Sequence, residues 1–313
     1  MVLSQAVPVN EALSGIFGSI SLTAWICLLI PQLLTNYRAK SAEGLSMIFL
    51  LIWLFGDIAN LSGALVTGIA PTATTLAAYF CFSDLVLITQ CLYYNTINAR
   101  RAARQRTQST DTVASEDEPL LRRRRTSSAG LPGSQRRPSV RQEESGLGDS
   151  LTRIVTGEDE TPDNHRWLHN SLSLAAVYLL GTVGWFASYK AGAWDGPEEP
   201  DAPSAATSPM AIVGMTLGYL SAACYLCARI PQIIKNYKEK SCEGLALLFF
   251  LLSLTGNLTY GLSVFSYSQD ADYIIKAVPW LLGSIGTMVE DCIIFYQFRI
   301  YDPKRQAKTD DMA

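Results

Sequence analysis

Charged side chains are scarce inside the long apolar stretches of this 313-residue sequence, and four of them are candidate site residues. They are Asp57, Asp84, Arg229 and Asp291. A charge at the centre of a lipid bilayer costs at least about 2.5 kcal/mol, so such residues commonly mark a binding site, an ion path or an internal ion pair. The carboxylates could bind a cation or exchange a proton. One of Asp84, Glu290 and Asp291 is expected to pair with Arg229, and the sequence leaves open which.

The elements that carry these residues are predicted to be transmembrane helices. The sequence is 49% hydrophobic and only 17% charged. Crossing the hydrocarbon of a bilayer takes about 20 mostly apolar residues in a helix, and these stretches lack the strict alternation of barrel strands. The fold class is therefore predicted to be an all-α membrane protein. Its seven spans are expected at 14–35, 45–69, 73–95, 171–190, 211–235, 245–267 and 276–298.

Basic residues are distributed very unevenly among the loops. If the N-terminus is lumenal, Lys190 and Lys276 face the lumenal side and Arg229 lies within a helix. All other Lys and Arg residues, out of 25, then lie on the opposite side or at helix ends facing it. Cytosolic loops of membrane proteins carry an excess of Lys and Arg. We therefore expect a lumenal N-terminus and a cytosolic C-terminus.

The chain contains an internal repeat. Residues 18–63 align with residues 218–263 at a constant offset of 200, without a gap. The third helix of each half matches at an offset of 207. Segments 14–95 and 211–298 are thus predicted to be two three-helix units joined by a linker helix at 171–190. An odd number of helices plus one linker inserts both halves in the same direction, so they enclose a central path.

The repeat is not symmetric at its polar positions. Asp57 corresponds to the uncharged Asn257. Asn60 lies one turn from Asp57 on the same helix face and corresponds to Tyr260, an aromatic ring that could stack on a cation. A carboxylate in one half and an amide at the equivalent position of the other half suit a site for a cationic solute or a proton. Asp57 is the preferred candidate, whereas Asp84 and Asp291 could serve either coupling or structure.

A proline-glutamine motif occurs once in each half. Pro31-Gln32 and Pro231-Gln232 each lie in an Ile-Pro-Gln string, with Asn-Tyr four residues further on and Lys-Ser-x-Glu-Gly-Leu after that. This double motif resembles the PQ-loop family, which is related to the SWEET sugar transporters and the lysosomal cystine transporter. Proline lacks an N–H and kinks a helix. The resemblance implies that these residues are hinges, while a role in packing alone remains an alternative.

Within that family, the sequence is most similar to the vacuolar and lysosomal cationic amino acid transporters. The residues around Asp57, Asp84 and Arg229 carry this similarity. The resemblance implies proton-coupled movement of lysine or arginine by alternating access. Two alternatives are a carrier of a neutral solute such as cystine or a sugar, and a nutrient-sensing membrane scaffold. A facilitator of neutral solutes needs no buried carboxylate, so Asp57 argues against a sugar.

Segment 96–170 is polar and poor in aromatic residues, which predicts a disordered cytosolic linker. Within it, Glu116, Leu120 and Leu121 look like an acidic dileucine signal read by sorting adaptors that route proteins to lysosomes or vacuoles. Residues 299–313 are expected to form a cytosolic tail.

An enzyme is the least favoured class. The sequence has only two histidines, both shortly before the fourth span, and the predicted bundle has no nucleophile-base pair or metal-ligand cluster. We expect no cofactor and no metal. The expected partners are a basic amino acid, protons, membrane lipid and the sorting adaptor, with no nucleic acid.

Overall fold

A computed structural model describes residues 8–42, 47–112, 166–192, 205–242 and 247–301. Within these ranges the chain forms seven helices and no strand, which confirms the all-helical class. All seven are long and apolar enough to cross a membrane. The helices are α1 (Val9–Ala39), α2 (Met47–Thr67), α3 (Pro71–Thr112), α4 (Arg166–Lys190), α5 (Pro209–Glu239), α6 (Leu247–Tyr267) and α7 (Ala271–Ile300).

Helix α3 is longer than the apolar pattern predicts. Its membrane-compatible part ends at Arg101, but the helix continues to Thr112. The first residues of the expected linker 96–170 are therefore helical, which corrects that boundary. Residues 102–106, the first part of this extension, are all Ala, Arg or Gln, which are good helix formers. Helix α4 likewise begins at Arg166, before the predicted start at 171.

The repeat is visible in how α1 and α5 end. Both stop with a lysine in the left-handed conformation, Lys40 at φ 47° and Lys240 at φ 49°. This conformation turns the chain out of the helix and lets following N–H groups bond the last carbonyls. At α1, the Ser41 N–H donates to the Asn36 carbonyl at 3.4 Å. Equivalent residues thus end equivalent helices.

The helices pack in a pattern that is preserved when the two halves are exchanged. Helix α1 packs mainly on α6, and its counterpart α5 packs on α2, the counterpart of α6. Helix α3 contacts α1 and α2, as α7 contacts α5 and α6. Helix α4 has no counterpart and lies mainly against α1. The two halves therefore meet along two equivalent helix pairs.

Glycines allow close approach where α2 meets α5. A Cβ added at Gly63 would lie 2.9 Å from the Gly214 carbonyl oxygen and 3.1 Å from the Trp280 ring. Small residues let membrane helices come together through their backbones. This contact brings the polar residues of α2 next to those of α5.

Candidate functional site

A cavity of about 130 Å³ lies between the two halves of the protein. A single water needs roughly 10–15 Å³ by the same kind of measure, so the cavity has room for several waters or a small solute. Helices from both halves contribute to its wall. Its aromatic lining consists of Trp25, Trp53, Phe80, Tyr225, Phe249, Phe250, Tyr260 and Trp280.

Asp57 anchors a hydrogen-bonded chain that crosses the interface between the halves. Its side chain is 4% exposed and lines the cavity from α2. The Tyr225 hydroxyl of α5 donates to Asp57 Oδ1. Asn60 Nδ2 donates to Tyr225 Oη at 3.1 Å, and Trp280 Nε1 donates to Asn60 Oδ1 at 2.7 Å. The structure thus places Asp57 and Asn60 together, as their spacing on one helix face predicts.

Asp84 lies beside Asp57 in the same wall. It is 3% exposed, lines the cavity from α3 and is close enough to Asp57 for the two carboxyl groups to interact. Its Oδ2 atom is buried without a hydrogen-bond partner in the described part of the chain. None of the contacts described for Asp57 or Asp84 involves a basic side chain. Two neighbouring carboxyl groups therefore face the cavity, and no cation of the described residues is paired with either of them.

Arg229 is held by a different acid. Its NH1 atom donates to Asp291 Oδ1 at 2.5 Å, and its NH2 atom donates to Ser253 Oγ at 2.8 Å. Ser253 in turn donates to Asp291 Oδ2 at 2.8 Å, which closes a triangle of three side chains. This answers the question that the sequence leaves open: of Asp84, Glu290 and Asp291, it is Asp291 that forms the hydrogen-bonded ion pair with Arg229 in the described part of the chain. A paired Arg229 leaves the two carboxyl groups across the cavity unneutralised.

The remaining predicted site residues divide between this triangle and the cavity wall. Asn257 Nδ2 donates to the Ser253 carbonyl at 3.0 Å, so Asn257 extends the polar network around Arg229. Tyr260 lines the cavity directly. Asn257 and Tyr260 thus both face the same space as Asp57.

The proline-glutamine motifs lie inside α1 and α5. Pro31 is buried, whereas Pro231 is exposed. Gln232 Nε2 donates to Asn236 Oδ1 at 2.7 Å, next to the cavity that Gln232 also lines. The side chain of Gln32 lies outside the described residues, as do Glu116, Leu120 and Leu121 of the sorting motif.

Several members of the site are not predicted by the sequence pattern. Tyr225 and Trp280 complete the chain to Asp57, and Ser253 completes the triangle with Arg229. The repeat holds a partial signal, because Tyr225 corresponds to Trp25 and both line the cavity. Trp280 and Ser253 have no such signal, because the residues at the equivalent positions are of different types.

Seven membrane-length helices around a cavity with buried acids define a polytopic membrane protein with an internal polar site. A PQ loop repeat family model matches residues 13–73 and 213–273, the same offset of 200 as the repeat. The chain is 36% identical to the vacuolar lysine transporter YPQ1 of Saccharomyces cerevisiae, over 97% of this chain and 98% of that one. It belongs to the PQ-loop repeat family.

Two further relatives are named as transporters of amino acids. The vacuolar histidine transporter YPQ3 of Saccharomyces cerevisiae is 35% identical over 95% of this chain and 94% of its own length. The lysosomal amino acid transporter 1 homolog of Homo sapiens is 26% identical over 93% of this chain and 83% of its own length. These relatives are named as transporters of vacuoles or lysosomes and not as enzymes.

Proposed function

We propose that this protein moves basic amino acids across a vacuolar or lysosomal membrane, coupled to protons, by alternating access. One observation carries the proposal. Asp57 and Asp84 lie side by side in the cavity between the halves, and no basic side chain of the described residues contacts either of them. A buried carboxylate is costly unless it is protonated or paired. A cationic solute supplies the missing partner, whereas a neutral solute does not.

Charge balance also supports the proposed coupling. If both carboxyl groups ionise, the cavity wall carries two negative charges, because Arg229 is already neutralised by Asp291. One bound cation and one proton together would remove both charges. Moving an amino acid with net positive charge and a proton through the same site is then electrostatically cheaper than moving either alone.

The packing supports alternating access by two parallel halves. Helices α1 and α6 form one contact between the halves, and α5 and α2 form the equivalent one. Because the sequences of the halves differ, the two contacts need not open together. Rocking around a central site is the motion expected for parallel repeats. The absence of an N–H at Pro31 and Pro231 leaves the carbonyls four residues earlier without their helical donor, which suits bending at those points.

The relatives and the loops support a proposal for the cellular setting. The relatives described above are named as vacuolar or lysosomal transporters. We propose the same kind of membrane here, with the N-terminus in the lumen, the C-terminus in the cytosol and the dileucine motif at Glu116, Leu120 and Leu121 available to a sorting adaptor.

The test is uptake of radiolabelled arginine into liposomes that contain the purified protein, with and without an imposed pH gradient. Asp57→Asn removes the charge from the cavity. Asp272→Asn makes the same change at an exposed position in the first turn of α7. Saturable uptake that depends on the gradient, is lost in Asp57→Asn and persists in Asp272→Asn would support the proposal.

Other outcomes would contradict specific parts of it. Vesicles that carry cystine or a sugar but no arginine would contradict a basic substrate. An equal rate of arginine uptake with and without the pH gradient would contradict proton coupling. Arginine binding without flux of any solute would favour a nutrient sensor over a transporter.

A further inference from the structure

The two halves of the protein differ at one equivalent polar position, the one occupied by Asp291 in the second half and by Asp84 in the first. In the second half, Arg229, Ser253 and Asp291 form a closed triangle in which each side chain bonds the other two. All three are buried, with Asp291 at 0% exposure. The guanidinium of Arg229 also lies 5.7 Å from the ring centroids of Phe249 and Phe250, within range of a cation–π contact. This half carries its own cation.

The equivalent position in the first half has the acid but no cation. The repeat offsets map Arg229 to Leu29, Ser253 to Trp53 and Asp291 to Asp84. Leu29 offers no charge and no donor. Asp84 Oδ2 and Trp53 Nε1 are both buried without a hydrogen-bond partner among the described residues. Leu29, Trp53 and Asp84 all line the cavity, as Arg229 does, whereas Asp291 and Ser253 do not line it.

Hydrogen bonds near the site confirm that these positions are structurally equivalent. Asn36 Nδ2 donates to Gln90 Oε1 at 3.2 Å, and Gln90 Nε2 donates to the Leu33 carbonyl at 3.1 Å. In the second half, Asn236 and Gln297 form the same pair at 2.9 Å.

The backbone bond also repeats, since Gln297 Nε2 donates to the Ile233 carbonyl at 3.0 Å. Leu29 precedes Asn36 by seven residues, as Arg229 precedes Asn236. Asp84 precedes Gln90 by six residues, as Asp291 precedes Gln297. Two helix pairs with this shared register hold residues 29 and 84, and 229 and 291, in matching places.

We propose that the cationic group of the substrate's side chain binds Asp84 in the place that the Arg229 guanidinium occupies against Asp291. Arg229 is then an internal copy of the bound substrate, and Leu29 marks the space that the second half fills with its own side chain. The Trp53 N–H, at the position of the Ser253 hydroxyl, is available to an oxygen of the solute. This inference rests on the proposed function and assigns the two acids different tasks: Asp84 holds the side-chain cation, and Asp57 lies beside it on the Tyr225 side.

The first test compares arginine with citrulline, which has nearly the same shape but an uncharged ureido group. Equilibrium binding of radiolabelled arginine to the purified full-length protein is measured, with citrulline as competitor. We expect the wild type to prefer arginine. Asp84→Asn should weaken arginine binding by roughly thirtyfold or more, the effect of truncating one partner of a buried charge pair. It should change citrulline binding little, so the preference for arginine collapses.

The ratio of the two affinities separates a direct contact from a structural role. A merely misfolded or loosened cavity would lose both ligands together. Asp272→Asn is the matched control for the change of acid to amide. If Asp84→Asn keeps the wild-type preference for arginine over citrulline, the assignment of Asp84 is wrong.

A second variant tests the same idea by adding a charge. Leu29→Arg copies the second half and should place a permanent guanidinium against Asp84, so arginine can no longer bind. Leu29→Met changes the side chain without a charge and should lose much less affinity. The thermal midpoint of Leu29→Arg should exceed that of the double variant Leu29→Arg/Asp84→Asn, in which the new charge has no partner. Unimpaired arginine binding by folded Leu29→Arg would overturn the proposal.

These experiments distinguish the inference from the function on which it rests. If the wild type binds neither arginine nor lysine, the proposed function fails, and the inference fails with it. If the wild type binds and carries arginine, but Asp84→Asn preserves the preference for arginine, only the inference fails.

Discussion

Removing Arg229 should destabilise the protein through the charge that it leaves behind. Arg229→Leu installs the residue found at the equivalent position 29. The fully buried side chain of Asp291 then lacks the guanidinium that bonds it at 2.5 Å. Breaking a buried ion pair by removing one partner costs about 3–5 kcal/mol. Ser253 still donates to Asp291 Oδ2, so we expect the lower end, about 3 kcal/mol.

The assay is thermal unfolding of the purified protein in detergent, followed by the loss of monodisperse protein after heating. Arg100→Ala serves as the control, because Arg100 is an exposed residue on α3 close to the end of its apolar part. Surface substitutions usually change stability by no more than about 0.5 kcal/mol. Arg229→Leu should therefore lower the midpoint clearly, whereas Arg100→Ala should barely move it.

A double-mutant cycle tests the physical cause. Asp291→Asn alone leaves Arg229 buried without its counter-ion, and it should also destabilise. Arg229→Leu with Asp291→Asn removes both charges, so the double variant should be more stable than the sum of the single losses predicts, with a coupling of roughly 2–3 kcal/mol. Additive losses would refute the conclusion that a stranded charge causes the destabilisation.

Three further predictions concern the site, the packing and the hinges. Tyr225→Phe removes the hydroxyl that donates to Asp57. The rate of arginine uptake should then fall by about tenfold or more, because a hydrogen bond to a charged group is lost. An unchanged rate would show that Asp57 needs no donor. Gly63→Val should lower the free energy of unfolding by about 1–3 kcal/mol, because α5 leaves no space there. Gly261→Ala should not destabilise the protein, because nothing lies within 4 Å of its added Cβ. Pro231→Ala restores a helical N–H and should slow uptake while leaving arginine affinity nearly unchanged, and a normal rate would favour a packing role.

Much of the fold could be predicted because membrane crossing constrains the sequence so strongly. Each span needs a long apolar run, and all seven runs contain a helix in the structure. The repeat offset of 200 reappears in the family match and in the two lysine-ended helices. The helix ends were less predictable. The extension of α3 to Thr112 depends on helix propensity in a polar segment, which an apolar pattern cannot detect.

The site was predictable residue by residue but not in its pairings. Asp57, Asp84 and Arg229 stand out because any charge inside a membrane helix is unusual. Which acid meets Arg229 depends on how α5 faces α6 and α7, and a linear pattern contains no such information. Ser253 decides the outcome locally, since it bridges Arg229 and Asp291. A serine in an apolar helix does not by itself predict that role.

An experimental structure of the protein with saturating arginine would show directly where the cationic group binds. We expect density for one arginine in the cavity between the halves, with its guanidinium against Asp84 and beside Asp57, while Arg229 remains paired with Asp291. Arginine bound at another place, or bound with its guanidinium directed away from both acids, would contradict the central claim that these two carboxyl groups form the cation site.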